Sequence, residues 1–579
     1  MMKTRTKKLT TLLLTALMTA AFAACGNSST TNKQTDAASE AASNTSDTTD
    51  SSADNSAEDL YYNTEGFPIV KEPITIELSG ITGTTQDWQN THIVKKIEEL
   101  MGIRLECTTY ADSNTWNTQF ATMMASDTLP DLITQISVSK TMTNEYGADG
   151  YLLDISDYLH LMPNFSRFLE ENPEYAAYHT TEDGSIYSFD RVRPVDLPQV
   201  GLYVSKADQE KYGFSVEDIK TTEDFYEVLK SIKEQNPDAI PLSLTFDGQC
   251  GQRGTFTIRN AFGIYSMDQN NLLGVDDQGQ VILYDITDNN KAYLEYMNRL
   301  WKENLLDQES FIMSSDEYRS KIRNGEVVFW HDWAYLATGV QAEDAGIYQE
   351  YDSLLAMTSE YNDTATYVMA PPYNASARVM VSANTEYPEA VCRLLDYVFS
   401  EEGQIFFSHG TEGETFEYID DGMGNMIPNH DNFWDQTKYS SQSEWLYQEV
   451  SIGNAFEIVI PSDSLAIVKA ATDDELNTFI YEDPSYQYTA DAHTELALRK
   501  QVEVRRYPSF LPVPYSTEES DALSQPNTDM SLLLQQYKAQ FITGKLDIDT
   551  AWDSYKEQIN VFWNQIQPVI QGAYDRANK

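Results

Sequence analysis

Apolar and polar positions alternate along Ile74-Thr75-Ile76-Glu77-Leu78, and after the Gly/Thr-rich stretch from Ser79 to Thr85 the period lengthens to that of a helix. Between His92 and Leu100 the residues Ile93, Ile97 and Leu100 share one face, Gly102 supplies a stop, and Ile103-Arg104-Leu105-Glu106-Cys107 alternates again. The spacing predicts strand, loop, helix, strand. A second unit follows, in which Trp116 to Met124 is amphipathic, Pro130-Asp131 is a break and Leu132-Ile133 starts a short apolar run. Strands linked in this way form mainly parallel sheets with helices on both faces, so the fold class is α/β. Further on, a helix is predicted over Lys291 to Lys302 and a turn at Asn324-Gly325. A strand over Glu326 to Trp330 then runs into the polar pair His331-Asp332, and an amphipathic helix starts after Pro388 and reaches Phe399. Beyond Pro508, Pro512 and Pro514 the pattern is largely helical to the end, and no internal repeat is present.

The first residues have a different logic. Lys3, Arg5, Lys7 and Lys8 precede an apolar run from Leu12 to Ala24 that stops at Cys25-Gly26. The run is shorter than the roughly 20 apolar residues that span a bilayer, and it ends in small residues, which is the build of a cleaved secretory signal. Ala21-Phe22-Ala23-Ala24-Cys25 resembles a bacterial lipobox, with Phe22 where Leu is usual, and implies that Cys25 is acylated with a palmitate-type chain and becomes the first mature residue. From Asn27 to Glu58 the chain is Ser, Thr, Asn, Ala, Asp and Gln-rich, without aromatic residues or leucine until Leu60. It cannot bury enough apolar surface to offset its ordering entropy, and a flexible tether is its simplest use.

What remains after the tether is too long for one core and predicts at least two lobes. The net charge of −51 makes nucleic acid and anionic lipid poor partners and leaves a neutral solute unopposed. Four cysteines, at 25, 107, 250 and 392, are far apart and form no zinc-type cluster.

Several local matches then occur in a consistent order. They are Leu129-Pro130-Asp131-Leu132-Ile133, Asp183-Gly184-Ser185-Ile186-Tyr187, Tyr293-Leu294 through Leu300-Trp301-Lys302-Glu303-Asn304-Leu305-Leu306-Asp307, Pro388-Glu389-Ala390-Val391 with Leu394-Leu395-Asp396-Tyr397, Ser400-Glu401-Glu402-Gly403-Gln404, and Phe541-Ile542-Thr543-Gly544 with Trp552-Asp553-Tyr555. Taken together they resemble the extracellular solute-binding proteins, family 1, of carbohydrate ABC importers, in the large lipoprotein subgroup. The resemblance implies a two-lobed, type II periplasmic-binding-protein-like fold with a hinge between lobes and a helical C-terminal part. It further implies an oligosaccharide ligand, ABC permease subunits as partners, membrane attachment through the lipid on the outer face of the cell membrane, and no cofactor. The expected organisation is a signal peptide over 1–24, lipidated cysteine and tether over 25–58, a first lobe from 67–200 plus 375–460 and a second from 201–370 plus 465–579. Some members carry an acidic calcium loop before an Ile-Pro-Leu segment. Here Gln235-Asn236-Pro237-Asp238-Ala239-Ile240-Pro241-Leu242 has a single carboxylate, so no metal site is expected.

A sugar cleft needs exposed aromatic faces beside hydrogen-bonding side chains. Phe329-Trp330-His331-Asp332-Trp333 has this mixture at a strand end, and the family's stacking tryptophan falls best on Trp333, then Trp330, with Asp332 beside them. Core packing is the alternative role for both tryptophans. Thr134 and Gln135, just after Pro130-Asp131-Leu132-Ile133, lie by the resemblance where the family's second strand opens into the cleft, and either bond sugar hydroxyls or cap the next helix. Asp87 and Trp88 lie in the first strand-to-helix loop, where Trp88 is equally a hydrophobic staple, and Asp247, Gln249 and Arg253 form a comparable group on the other lobe. The motifs G-x-S-x-G, H-E-x-x-H, Walker A and a dinucleotide fingerprint are all missing, so a carrier rather than an enzyme is expected. A binder of peptides or other non-sugar solutes on the same fold is the alternative, with a surface polysaccharide-degrading enzyme behind it.

Overall fold

The computed structural model describes residues 60–577 apart from 83–85, 137, 139, 182, 193–200, 247–253, 267–270, 333–336, 340–345, 370–372, 421–425, 440–441, 454, 457, 459–469, 483–488, 501–504 and 509–514. Strand β1 (Ile74–Ile81) leads through a short loop to helix α1 (His92–Met101), whose buried Ile93, Val94, Ile97 and Met101 form one face. Gly102, at φ 76°, ends α1 in the left-handed region that favours glycine. Then come β2 (Ile103–Tyr110), α2 (Ser113–Ser126) capped by the Asp112 carboxylate on the Thr115 N–H, and β3 (Leu132–Thr134). These are the two predicted units.

The three strands are parallel, in the order β2-β1-β3. Two more strands complete this sheet, β4 (Phe189–Val192) and, from far along the chain, β12 (Tyr373–Val381), in the order β3-β12-β4. β12 is antiparallel to both neighbours, so the sheet is mixed rather than parallel throughout. Alternate residues point to opposite faces: Leu132, Val379 and Val381 join a core with α1 and the helix Pro388–Val398, while Ile133 and Met380 pack on Trp116 and Phe120 of α2.

A second core begins at β5 (Leu202–Ser205) and β6 (Ile240–Leu242), continues past a hairpin of β7 (Leu273–Val275) and β8 (Val281–Leu283), and includes β9 (Val327–Phe329) and β10 (Tyr351–Leu354). β6 and β9 are parallel, β5 and β10 antiparallel, and the two pairs are joined where the Tyr203 and Trp330 backbones exchange N–H···O bonds of 2.7 and 3.1 Å. Two terminal helices, Thr517–Ile542 and Ile548–Ala577, close this core with Leu523, Met530, Leu534, Phe541, Trp552, Tyr555, Ile559 and Ile566. The remaining strands are β11 (Thr366–Met369), the hairpin β13 (Glu417–Asp420) and β14 (Met426–Asn429), and β15 (Arg505–Pro508), parallel to β11.

Strand directions fix where the cores are joined. β4 runs with β1 and leaves for β5; β12 runs against β1 and arrives from β11. Both links therefore sit at the carboxyl edge of the first sheet. Val379 faces Thr134 at the end of β3, yet β4 and β12 continue as a two-stranded ribbon to Val192 and Tyr373. On the other side the chain enters at the amino end of β5, level with the carboxyl ends of β6, β9 and β10. Each sheet turns its carboxyl edge toward the connecting segments.

Candidate functional site

Ligands of open α/β sheets sit beyond the carboxyl ends of the strands, and here those ends belong to two sheets facing the same crossings. On the first edge, Gln135 has φ 59°, a strained value for a non-glycine residue. Its N–H donates to the Arg378 carbonyl at 2.9 Å and its Oε1 accepts from the Ile81 N–H at 2.8 Å, so one half-buried residue ties together β1, β3 and β12. Thr134 is fully buried; its hydroxyl donates to Ser79 O at 3.1 Å and its carbonyl accepts from Trp116 Nε1 at 2.9 Å. Asp87 is exposed at the loop before α1, holding Asn90 Nδ2 at 2.7 Å.

Trp88, only 1% exposed, is a core residue and offers no ring face to a solute. It lies over Gly80, where a Cβ would fall 2.6 Å from its ring and 2.3 Å from Thr134 Oγ1. Its Nε1 donates to Gln86 Oε1 at 2.9 Å, and Gln86 Nε2 donates to Ser451 O at 2.8 Å and to Tyr447 O. The loop is thereby stapled to the π-helical turn Leu446–Val450.

On the second edge Trp330 is 2% exposed, with its ring 4.9 Å from Tyr203 and 5.5 Å from Tyr351, so it too is core. Asp332 is buried and bonded to Arg319 Nε at 2.6 Å, a pairing that satisfies a desolvated carboxylate. His331 Nδ1 donates to Gly201 O at 2.8 Å, which joins the end of β9 to the chain entering β5. Trp333, Asp247, Gln249 and Arg253 lie outside the described residues. The Gln235–Leu242 stretch is the turn from the helix Thr222–Gln235 into β6, where Asn236 Oδ1 accepts from the Asp238 N–H at 3.2 Å. Among the described residues no group of three or more His, Cys, Asp or Glu side chains is placed to hold a metal ion.

Two features escape pattern reasoning. Tyr110, at the carboxyl end of β2, stacks on Trp116 with ring centroids 4.8 Å apart and planes 13° from parallel. It closes an alternating strand at the same edge that marks Gln135, and that position is the signal available in the sequence. The other is a buried ionic group at the root of the ribbon. Asp190 of β4 faces His179 Nε2 at 2.7 Å and accepts from Ser188 Oγ at 3.0 Å, and Ser188 Oγ in turn accepts from Lys140 Nζ at 3.2 Å. Burial opposes ionisation of Asp190, but His179 and Lys140 more than offset it and hold the carboxyl below its ordinary value.

Two cores joined, among the described residues, through β4 and β12 at the carboxyl edge of the first sheet define a two-lobed, type II solute-binding protein. The chain belongs to the bacterial extracellular solute-binding proteins, whose family model matches residues 92–412. The fructooligosaccharide ABC transporter substrate-binding protein FusA of Streptococcus pneumoniae is 23% identical over 555 residues, covering 90% of this chain and 94% of that protein. Lipoprotein LipO of Bacillus subtilis is 21% identical over 460 residues, covering 78% and 83%. The structure of an EF-hand mutant of FusA with fructo-nystose superposes with a TM-score of 0.67 at 21% identity, covering 87% of this chain and 100% of that one.

Proposed function

We propose that the protein is the substrate-binding lipoprotein of an ABC importer. It captures an oligosaccharide between the carboxyl edges of its two sheets and delivers it, unchanged, to a membrane permease. The observation that carries this is the position of the crossings: β4 and β12 leave the first sheet at the edge where Gln135 and Tyr110 lie, so bending of the ribbon opens or shuts that edge against the second core. Membership of the solute-binding family and the ligand named for FusA support a short sugar chain as cargo. The first lobe is assigned to 67–200 plus 375–460 and the second to 201–370 plus 465–579, in keeping with the two hydrophobic cores. Trp333, Gln135, Asp87, Asp247 and Gln249 are assigned to the ligand; Trp88, Trp330 and Asp332 shape the site from beneath.

Cys25 is assigned as the acylated residue and 25–58 as the tether, which hold the body at the outer face of the membrane. A thermal-shift screen of the mature chain against oligosaccharides and peptides, with analysis of the sugar afterwards, tests this function. Stabilisation by oligosaccharides recovered intact is expected. Stabilisation by peptides alone, or cleavage of the sugar, would overturn it.

A further inference from the structure

Aromatic residues recognise sugars when a ring is held still, with one face supported and the other open, and a hydrogen-bond donor stands beside it. At the end of β2 the chain supplies these together. Tyr110 is partly exposed, and Trp116 is the one ring stacked on it among the described residues. Trp116 is itself fixed: fully buried, bonded through Nε1 to Thr134 O at 2.9 Å, and braced edge-on by Phe120 at 6.2 Å. The Tyr110 ring thus starts from a pre-organised position, which lowers the ordering cost of binding.

The neighbours are those a sugar residue needs. Ile81, opposite Tyr110 in register, gives its N–H to Gln135 Oε1, which orients the Gln135 Nε2 amide group alongside with no bond to another described residue. The Tyr110 hydroxyl likewise bonds no described residue. Thr82 donates its N–H to Tyr110 O at 3.1 Å and accepts the hydroxyl of Tyr447, a residue 37% exposed on the π-helical turn. A second aromatic side chain is thereby pinned beside the end of β1.

We propose that Tyr110, backed by Trp116, is the stacking platform for one sugar residue on the first lobe, with Gln135 Nε2 donating to a hydroxyl of that residue and Tyr447 flanking it. The ligand class is a saccharide unit with an apolar C–H face, so the platform rests on the oligosaccharide reading above. It places the aromatic contact of this lobe on a strand end rather than on Trp88, which is sealed in the core.

The test uses the mature chain. The probe is whichever oligosaccharide gives the largest thermal shift with the unsubstituted protein, from a panel of fructo-, xylo-, manno- and malto-trisaccharides and tetrasaccharides. Tyr110→Leu keeps an apolar cover on Trp116 but removes the ring, and is expected to weaken binding by about 10-fold or more, whereas Tyr110→Phe costs only about 3-fold. Gln135→Glu is nearly isosteric, keeps the acceptor for the Ile81 N–H, removes the amide donor and is expected to weaken binding by about 10-fold. It remains informative if Tyr110→Leu folds poorly. Affinity at the unsubstituted level in the folded variants would overturn the platform while leaving the carrier function standing. Failure of the unsubstituted chain to bind any sugar in the panel would overturn the carrier function, and the platform with it.

Discussion

His409 and His430 meet ring to ring, Nδ1 to Nε2, at 3.0 Å. His430 donates its Nδ1–H to the Thr415 carbonyl at 2.7 Å, so its Nε2 is an acceptor and His409 donates through Nδ1, with both rings neutral. Burial, followed by the neighbouring His430, pushes His409 down to about 3, and burial also lowers His430, although the hydrogen bond to the Thr415 carbonyl and then Asp431 work against that. The unfolded chain takes up this proton near pH 6.5 and the folded chain near pH 3, so nothing is lost above pH 6.5. Acidification between those values removes up to about 5 kcal/mol for His409. Urea midpoints measured across this range should fall steeply for the native chain, and the slope for His409→Gln should be shallower by nearly one proton; an unchanged slope would contradict the assignment.

Other single residues were only partly legible. Trp330 lies in the continuous apolar run Val327-Val328-Phe329-Trp330, where no alternation distinguishes a buried face from an open one. Trp88 follows a Gly/Thr-rich loop whose local pattern does not reveal that Gly80 makes room for an indole against β1. Filling that room by Gly80→Ala is expected to destabilise the first lobe by about 1–3 kcal/mol, since Trp88 and Thr134 must both move; chemical denaturation measures it.

At the scale of elements, the units β1-α1-β2 and α2-β3 were readable because each keeps a clear period over several turns or pleats, with Gly102 and Pro130 as punctuation. β4 and β12 were not. Val379 pairs with both Thr134 and Phe189, and no local pattern states a pairing over that separation. The strands of the second core are only three or four residues long, too short for a period to show. The ribbon they feed depends on its root. Asp190→Ala leaves Lys140 and His179 buried without their carboxylate and is expected to cost about 3–5 kcal/mol. Asp190→Asn, which keeps the shape, separates loss of charge from loss of packing, and urea denaturation of the two variants reports both. In the terminal helices Ile559 is fully buried, and Ile559→Ala should cost about 2–5 kcal/mol by the same measurement.

Across the whole molecule, the two hydrophobic cores are tied by strands that leave at one edge, and the excess of acidic residues, at a net charge of −51, suits an uncharged cargo. The proposed lipid anchor at Cys25 is tested by Cys25→Ala, which is expected to move the protein from the membrane fraction to the medium; retention of the variant in the membrane fraction would contradict the anchor. The proposed function requires that the cleft hold a sugar chain and leave it intact. Calorimetric titration of the mature chain with trisaccharides and tetrasaccharides, with short peptides titrated in parallel, tests it most directly. Saturation by an oligosaccharide at one equivalent, with the sugar recovered unchanged, is the predicted result; saturation by peptides with no heat from any sugar would contradict it.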